Sequence, residues 1–123
     1  VGLPFINLTK TKMTEDQLQA ICFQWAWNTY PETRRLLFHI PNGGSRHRLE
    51  ASKLKAMGVV PGVPDLCFLW KGKSNFFEIK TPTGKVSDSQ MEWAIVANFH
   101  NIDVHVVRTI DDFQTIFINI INT

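Results

Sequence analysis

The order of apolar and polar segments along the chain predicts an α/β fold, a central mixed β-sheet flanked by α-helices. Three observations carry this. Two Ser/Thr-x-x-Gln capping boxes, at Thr14 and Ser87, open segments with helical apolar spacing. Two β-prone runs stand on either side of a short glycine-containing turn, so they pair antiparallel. The full order reads helix, strand, helix, strand, strand, helix, strand, helix. At 123 residues and 14.1 kDa the chain holds one domain, residues 1–123.

Each element has its own signal. Thr14 caps the first helix, Gln17 completes the box, and Leu18, Ile21, Cys22 and Trp25 follow as an apolar stripe until Pro31 ends it. Trp27 lies off that stripe and is a candidate interface residue. Leu36 to Ile40 reads as a short strand stopped by Pro41-Asn42-Gly43-Gly44. Arg46 to Met57 reads as a basic helix with Leu49, Leu54 and Met57 as apolar contacts and Gly58 just past its end. Two prolines and a glycine make residues 59–64 irregular. Asp65 to Trp70 and Phe76 to Lys80 are strands, with Lys71 to Asn75 as the turn between them. After a loop over 81–86, the Ser87 box opens a helix through Phe99, with Trp93, Ala94 and Ala97 on one side. Ile102 to Val107 is a strand, and Thr109 caps a last helix from Ile110 to Ile121 whose end, Ile116-Phe117-Ile118, is β-prone.

Composition narrows the function. The chain is 44% hydrophobic and 20% charged, which excludes disordered and low-complexity proteins. No apolar run reaches the roughly 20 residues of a membrane helix. Residues 1–8 have no basic segment, so no signal peptide is expected and a cytoplasmic location is. Cys22 and Cys67 have no CxxC spacing and read as two buried thiols in a reducing compartment. Net charge is +2 with a pI near 8.7. The cations concentrate at Arg34, Arg35, Arg46, Arg48, Lys53 and Lys55, a stretch that suits either a polyanion or a solvated surface.

The chemistry-bearing residues are Asp65, Glu78 and Lys80. Glu78 and Lys80 are two apart on a strand, so they share a face. The hairpin turn lies midway between Asp65 and Glu78 and can bring them side by side. Paired carboxylates repel, and a hard divalent cation with oxygen ligands relieves the repulsion. A lysine beside such an ion suits metal-assisted cleavage of a phosphodiester. The bland alternative is a Glu78–Lys80 surface ion pair, since ExK triplets are common.

These residues and their neighbours resemble a known family. Val63-Pro64-Asp65 followed by Glu78-Ile79-Lys80 resembles the PD-(D/E)xK nuclease signature. His39-Ile40-Pro41-Asn42-Gly43-Gly44, Gly62-Val63-Pro64-Asp65-Leu66, Glu78-Ile79-Lys80-Thr81-Pro82-Thr83-Gly84 and Ser87-x-x-Gln90-x-x-Trp93 resemble the VRR-NUC (virus-type replication-repair) nucleases. The resemblance runs from about Glu15 to Phe113 and is to stand-alone phage and prophage members. It implies a restriction-endonuclease-like fold and Mg²⁺- or Mn²⁺-dependent DNA cleavage. By that resemblance, Asp65 and Glu78 match the metal-binding carboxylates and the Ile79 carbonyl a third ligand. Lys80 matches the catalytic lysine and Gln90 the motif glutamine near the site, a role compatible with capping. Glu15 matches a further helical glutamate of the metal site; it also suits simple stabilisation of the helix N-terminus, and Asp16 stands next to it.

The resemblance also implies a substrate. Asn42, Gly43, Gly44, Arg46, Arg48, Lys53 and Lys85 are expected to contact the DNA backbone, although Asn42-Gly43 alone is equally a turn signal. Stand-alone members resemble Holliday-junction resolvases, which implies a homodimer cutting a four-way junction at two matched sites. Flap, nick or duplex cleavage is the first alternative, and a non-catalytic DNA-binding module the second. His39, His47, His100 and His105 have no metal-cluster spacing, and His39 reads as structural. No GxxxxGK[ST] loop is present, so no nucleotide cofactor is expected.

Overall fold

The computed structural model describes residues 12–41 and 48–123, with only the main chain of Arg48 and Leu49. Helix α1 spans Glu15–Thr29. Its reciprocal Thr14–Gln17 capping box is formed, with Gln17 N–H donating to Thr14 Oγ1 and Thr14 N–H to Gln17 Oε1. Leu18, Cys22 and Ala26, spaced by four, form its buried line. Ile21 lies one position off that line and is exposed, contrary to the stripe expected from spacing, while Trp25 is partly buried against the core. Trp27 is also exposed, with the Arg34 guanidinium 4.8 Å above its ring. A 3₁₀ turn, Pro31–Thr33, leads into β1, Leu37–His39, shorter at both ends than its apolar run suggested.

Helix α2, Arg48–Ala56, ends where the glycine predicts. Gly58 has φ +106°, Gly58 N–H donates to Lys55 O, and Val59 N–H donates to Leu54 O, the paired bonds of a Schellman cap. Its apolar side is thin: Leu54 is half-buried and Met57 is exposed, so Met57 is not the packing residue its position suggested. Strands β2, Leu66–Trp70, and β3, Lys73–Ile79, form the expected hairpin, but over a tighter turn. Lys71 and Gly72 both have positive φ, as a two-residue type I′ connection requires, so β3 begins at Lys73 and not at Phe76. Helix α3 spans Asp88–Phe99, strand β4 Asp103–Val107, and helix α4 Ile110–Ile121. The β-prone end of α4 stays helical because Phe113 and Phe117, four apart, bury together with ring centroids 5.2 Å apart.

The sheet order is β1-β2-β3-β4, with β1/β2 and β2/β3 antiparallel and β3/β4 parallel. The described residues thus form a four-stranded mixed sheet flanked by four helices. Leu66, Phe68, Phe77 and Ile79 join Leu18, Cys22 and Ala26 of α1 and Phe113 and Phe117 of α4 in one apolar core. The alternate residues of the hairpin face α3, where Phe76 meets Trp93 edge-on at 4.9 Å. Both cysteines are free and buried, and burial pushes the Cys22 thiol up to about 12. Among the described residues no helix is long and apolar enough to cross a membrane.

Candidate active site

The register of the hairpin builds the site. Leu66 pairs with Phe77, so one step further Asp65 stands opposite Glu78. Both side chains project from the α3 side of the sheet, as does Lys80, two residues past Glu78. Asp65 is anchored by Ile79, whose N–H donates to Asp65 Oδ2 at 2.8 Å. Glu78 is held from α3: the Ser87 capping box fixes the first turn, and Gln90 Nε2 donates to Glu78 Oε2 at 2.8 Å. Capping and site contact are therefore both performed by Gln90, through the two ends of its amide, with Oε1 accepting from Ser87 N–H. Lys80 continues the parallel pairing through its N–H to Val107 O, and its Nζ lies 3.9 Å from Glu78 Oε2.

Glu78 is 3% exposed, and its Oε1 is buried without a partner. Its carboxyl is pushed up from 4.5 to about 8, first by burial, then by the Asp65 charge; Lys80 opposes the rise, while the closeness of the Asp65 carboxyl and the Glu15 charge add to it. An orphaned buried carboxylate oxygen costs about 1–3 kcal/mol. A second carboxylate beside it makes the donor set a hard divalent cation takes. The residues present therefore fit Mg²⁺ or Mn²⁺. Their ligands would be Asp65, Glu78 and the Ile79 carbonyl; the described residues contain no group of three or more His, Cys, Asp or Glu side chains placed around one ion.

A cleft of about 460 Å³ opens beside the pair, lined by Asp16, Gln19, His39, Asp65, Ser89 and Gln90 among others. Gly62 makes its floor possible: at φ +86°, a Cβ there would fall 2.1 Å from Ser89 O. A larger cavity of about 740 Å³ lies at the other end of the strands, with Asp103 the one acidic residue in its lining. The carboxylate pair, not cavity size, decides where chemistry can occur.

The other expected residues fall in three groups. Glu15 is exposed in the first turn of α1, near enough for its charge to reach Glu78; its Oε2 is 3.3 Å from where a Cβ on Gly84 would stand. Its neighbour Asp16 lines the cleft itself. Lys53, Lys55 and Lys85 are exposed, as DNA-facing cations would be. Asn42, Gly43, Gly44 and Arg46, and the side chain of Arg48, lie outside the described residues.

Sequence reasoning missed two residues. His39 Nδ1 lies 2.8 Å from the Asp65 carbonyl, a partner that its reading as a structural histidine did not name. Arg108 Nη1 donates to the carbonyls of Thr81, Pro82 and Gly84, pinning the loop that follows Lys80. Both contacts join residues more than twenty positions apart, and no local spacing announces them.

Comparisons with known proteins fit this geometry. No curated protein matches the chain. A solved structure described as a VRR_NUC domain protein shares the fold, with a TM-score of 0.74, 24% identity and 91% of each chain covered. The family model of the VRR-NUC domain matches residues 8–110. The chain therefore belongs to the VRR-NUC domain family, membership that implies a nuclease-type, DNA-binding function.

Proposed function

We propose that the chain is a metal-dependent, structure-selective DNA endonuclease that hydrolyses phosphodiester bonds, with a four-way junction as substrate and a homodimer as its working form. The observation that carries the reading is the facing Asp65–Glu78 pair with an unpartnered buried oxygen on Glu78. Asp65, Glu78 and the Ile79 carbonyl would hold Mg²⁺ or Mn²⁺. When bound, the ion supplies charge for the phosphate and a lowered pKa for water. Gln90 fixes the Glu78 carboxylate, and Lys80 positions the attacking water. Hydrolysis adds the water oxygen to phosphorus and expels the 3′ oxygen, leaving a 5′-phosphate. Exposed Lys53, Lys55 and Lys85 would meet DNA phosphates without reading sequence. The dimer reading is supported by an exposed apolar face on α3, formed by Met91, Ile95 and Phe99, the last 83% exposed.

The test is cleavage of a labelled four-way junction beside matched duplex and flap DNA in Mg²⁺. Paired symmetric cuts are expected, reduced by about 10²-fold or more in Lys80→Ala. Cuts confined to flap or duplex keep the chemistry and remove the junction. Salt-sensitive binding with no cleavage in Mg²⁺ or Mn²⁺ overturns the enzyme in favour of a binding module.

A further inference from the structure

We propose that His39 is a positioning residue for Asp65, setting the direction of that carboxylate through a hydrogen bond to its main-chain carbonyl. The proposal rests on the nuclease reading of the Asp65–Glu78 pair.

Asp65 lies one residue before β2 and follows Pro64, which has no N–H to pair. A residue at a strand end has soft torsions unless its neighbours hold it. Two donors do so here, the main chain of Ile40, which continues the β1/β2 register, and the His39 ring outside it. Ile40 N–H and His39 Nδ1 each lie 2.8 Å from the Asp65 carbonyl oxygen, enough to use both of its lone pairs. The carboxylate at the other end takes Ile79 N–H on Oδ2. Asp65 is thus fixed at its main chain from β1 and at its side chain from β3, which leaves Oδ1 as the oxygen not engaged by Ile79.

The ring's own state follows from its partner. A carbonyl only accepts, so Nδ1 carries the hydrogen. Gln19 Nε2 is placed 2.9 Å from the same nitrogen. Two donors cannot share that contact, so the bond from Nδ1 to the Asp65 carbonyl requires the Gln19 amide turned with its oxygen toward the ring. His39 is exposed and has no place in the apolar core, and it lines the cleft beside Asp65. Packing therefore does not explain a histidine here. The role needs only a donor at the Nδ1 position, which an asparagine Nδ2 also occupies; a glutamine Nε2 reaches the position of the other ring nitrogen instead.

The experiment compares His39→Ala, His39→Asn and His39→Gln by calorimetric Mn²⁺ titration, thermal midpoint and single-turnover cleavage. H39A and H39Q should bind Mn²⁺ about 10-fold more weakly and cleave about 10–100-fold more slowly, with the KM for DNA unchanged. H39N should stay close to wild type in both. H39A matching wild type in Mn²⁺ affinity, or H39N as impaired as H39Q, overturns the proposal; the H39N and H39Q pair decides it even where H39A does not fold. A wild-type chain that binds no Mn²⁺ overturns the nuclease reading itself, whereas wild-type binding left unchanged by H39A and H39Q overturns the role of His39 alone.

Discussion

Glu78 carries one oxygen bonded to Gln90 and one buried without a partner, beside a second carboxylate. Its folded-state pKa of about 8 lies above the ordinary 4.5, because burial and Asp65 both disfavour its charge. Below pH 4.5 the folded and unfolded chains both hold this proton. Between 4.5 and about 8 only the folded chain does, so stability falls as pH rises through that window. The slope from one proton is at most about 1.4 kcal/mol per pH unit. Thermal midpoints of the metal-free protein should therefore decline from pH 5 to 8, and Glu78→Gln should flatten that decline. Saturating Mg²⁺ should flatten it too, because a bound cation replaces the proton. A midpoint that rises over this range in the metal-free wild type contradicts the assignment. Asp65, Glu78 and Lys80 were legible in the sequence because a hairpin turn midway between two carboxylates and a two-residue strand period fix their meeting. His39 and Arg108 were not, because their contacts with Asp65 and with loop 81–84 cross from one element to another.

Two glycines separate conformational need from steric need. Gly58, at the end of α2, has φ +106° and open space where a Cβ would stand. Gly62 has φ +86° and meets the first turn of α3 at Ser89 and Gln90. Gly58→Ala should cost only the left-handed backbone strain, about 1 kcal/mol. Gly62→Ala adds a main-chain clash and should cost more than about 2 kcal/mol, with cleavage lost beyond the stability change because Gln90 is displaced from Glu78. Denaturant midpoints of the two variants, with cleavage measured well below each midpoint, test this; equal costs contradict it. The helix caps at Thr14, Ser87, Thr109 and Gly58 were readable because capping chemistry is local. Ile21 and Met57 are exposed where apolar packing was expected, because spacing names a face of a helix without saying how wide a face its neighbours cover. Strand bounds shifted around the Lys71–Gly72 turn, since positive φ at a lysine has no sequence signature.

At the scale of the molecule, the sheet brings distant strand ends together at one end of its two central strands. The end of β3, the start of β2 and the start of α3 converge there, while α1 and α4 fill the opposite face with aromatic core. Mixed topology followed from the alternating order of elements, but the pairing of β4 with β3 was set by tertiary packing and not by any signal within β4. The same convergence carries the proposed function: two carboxylates that face each other at one site would share a divalent cation. Calorimetric titration of Mn²⁺ at pH 7, in two buffers of different ionisation enthalpy, tests it directly. Saturable binding is expected, with release of about one proton per ion, the one held on Glu78, and loss of that binding in Asp65→Asn. Binding that survives Asp65→Asn unchanged, or no binding by the wild-type chain, would contradict it.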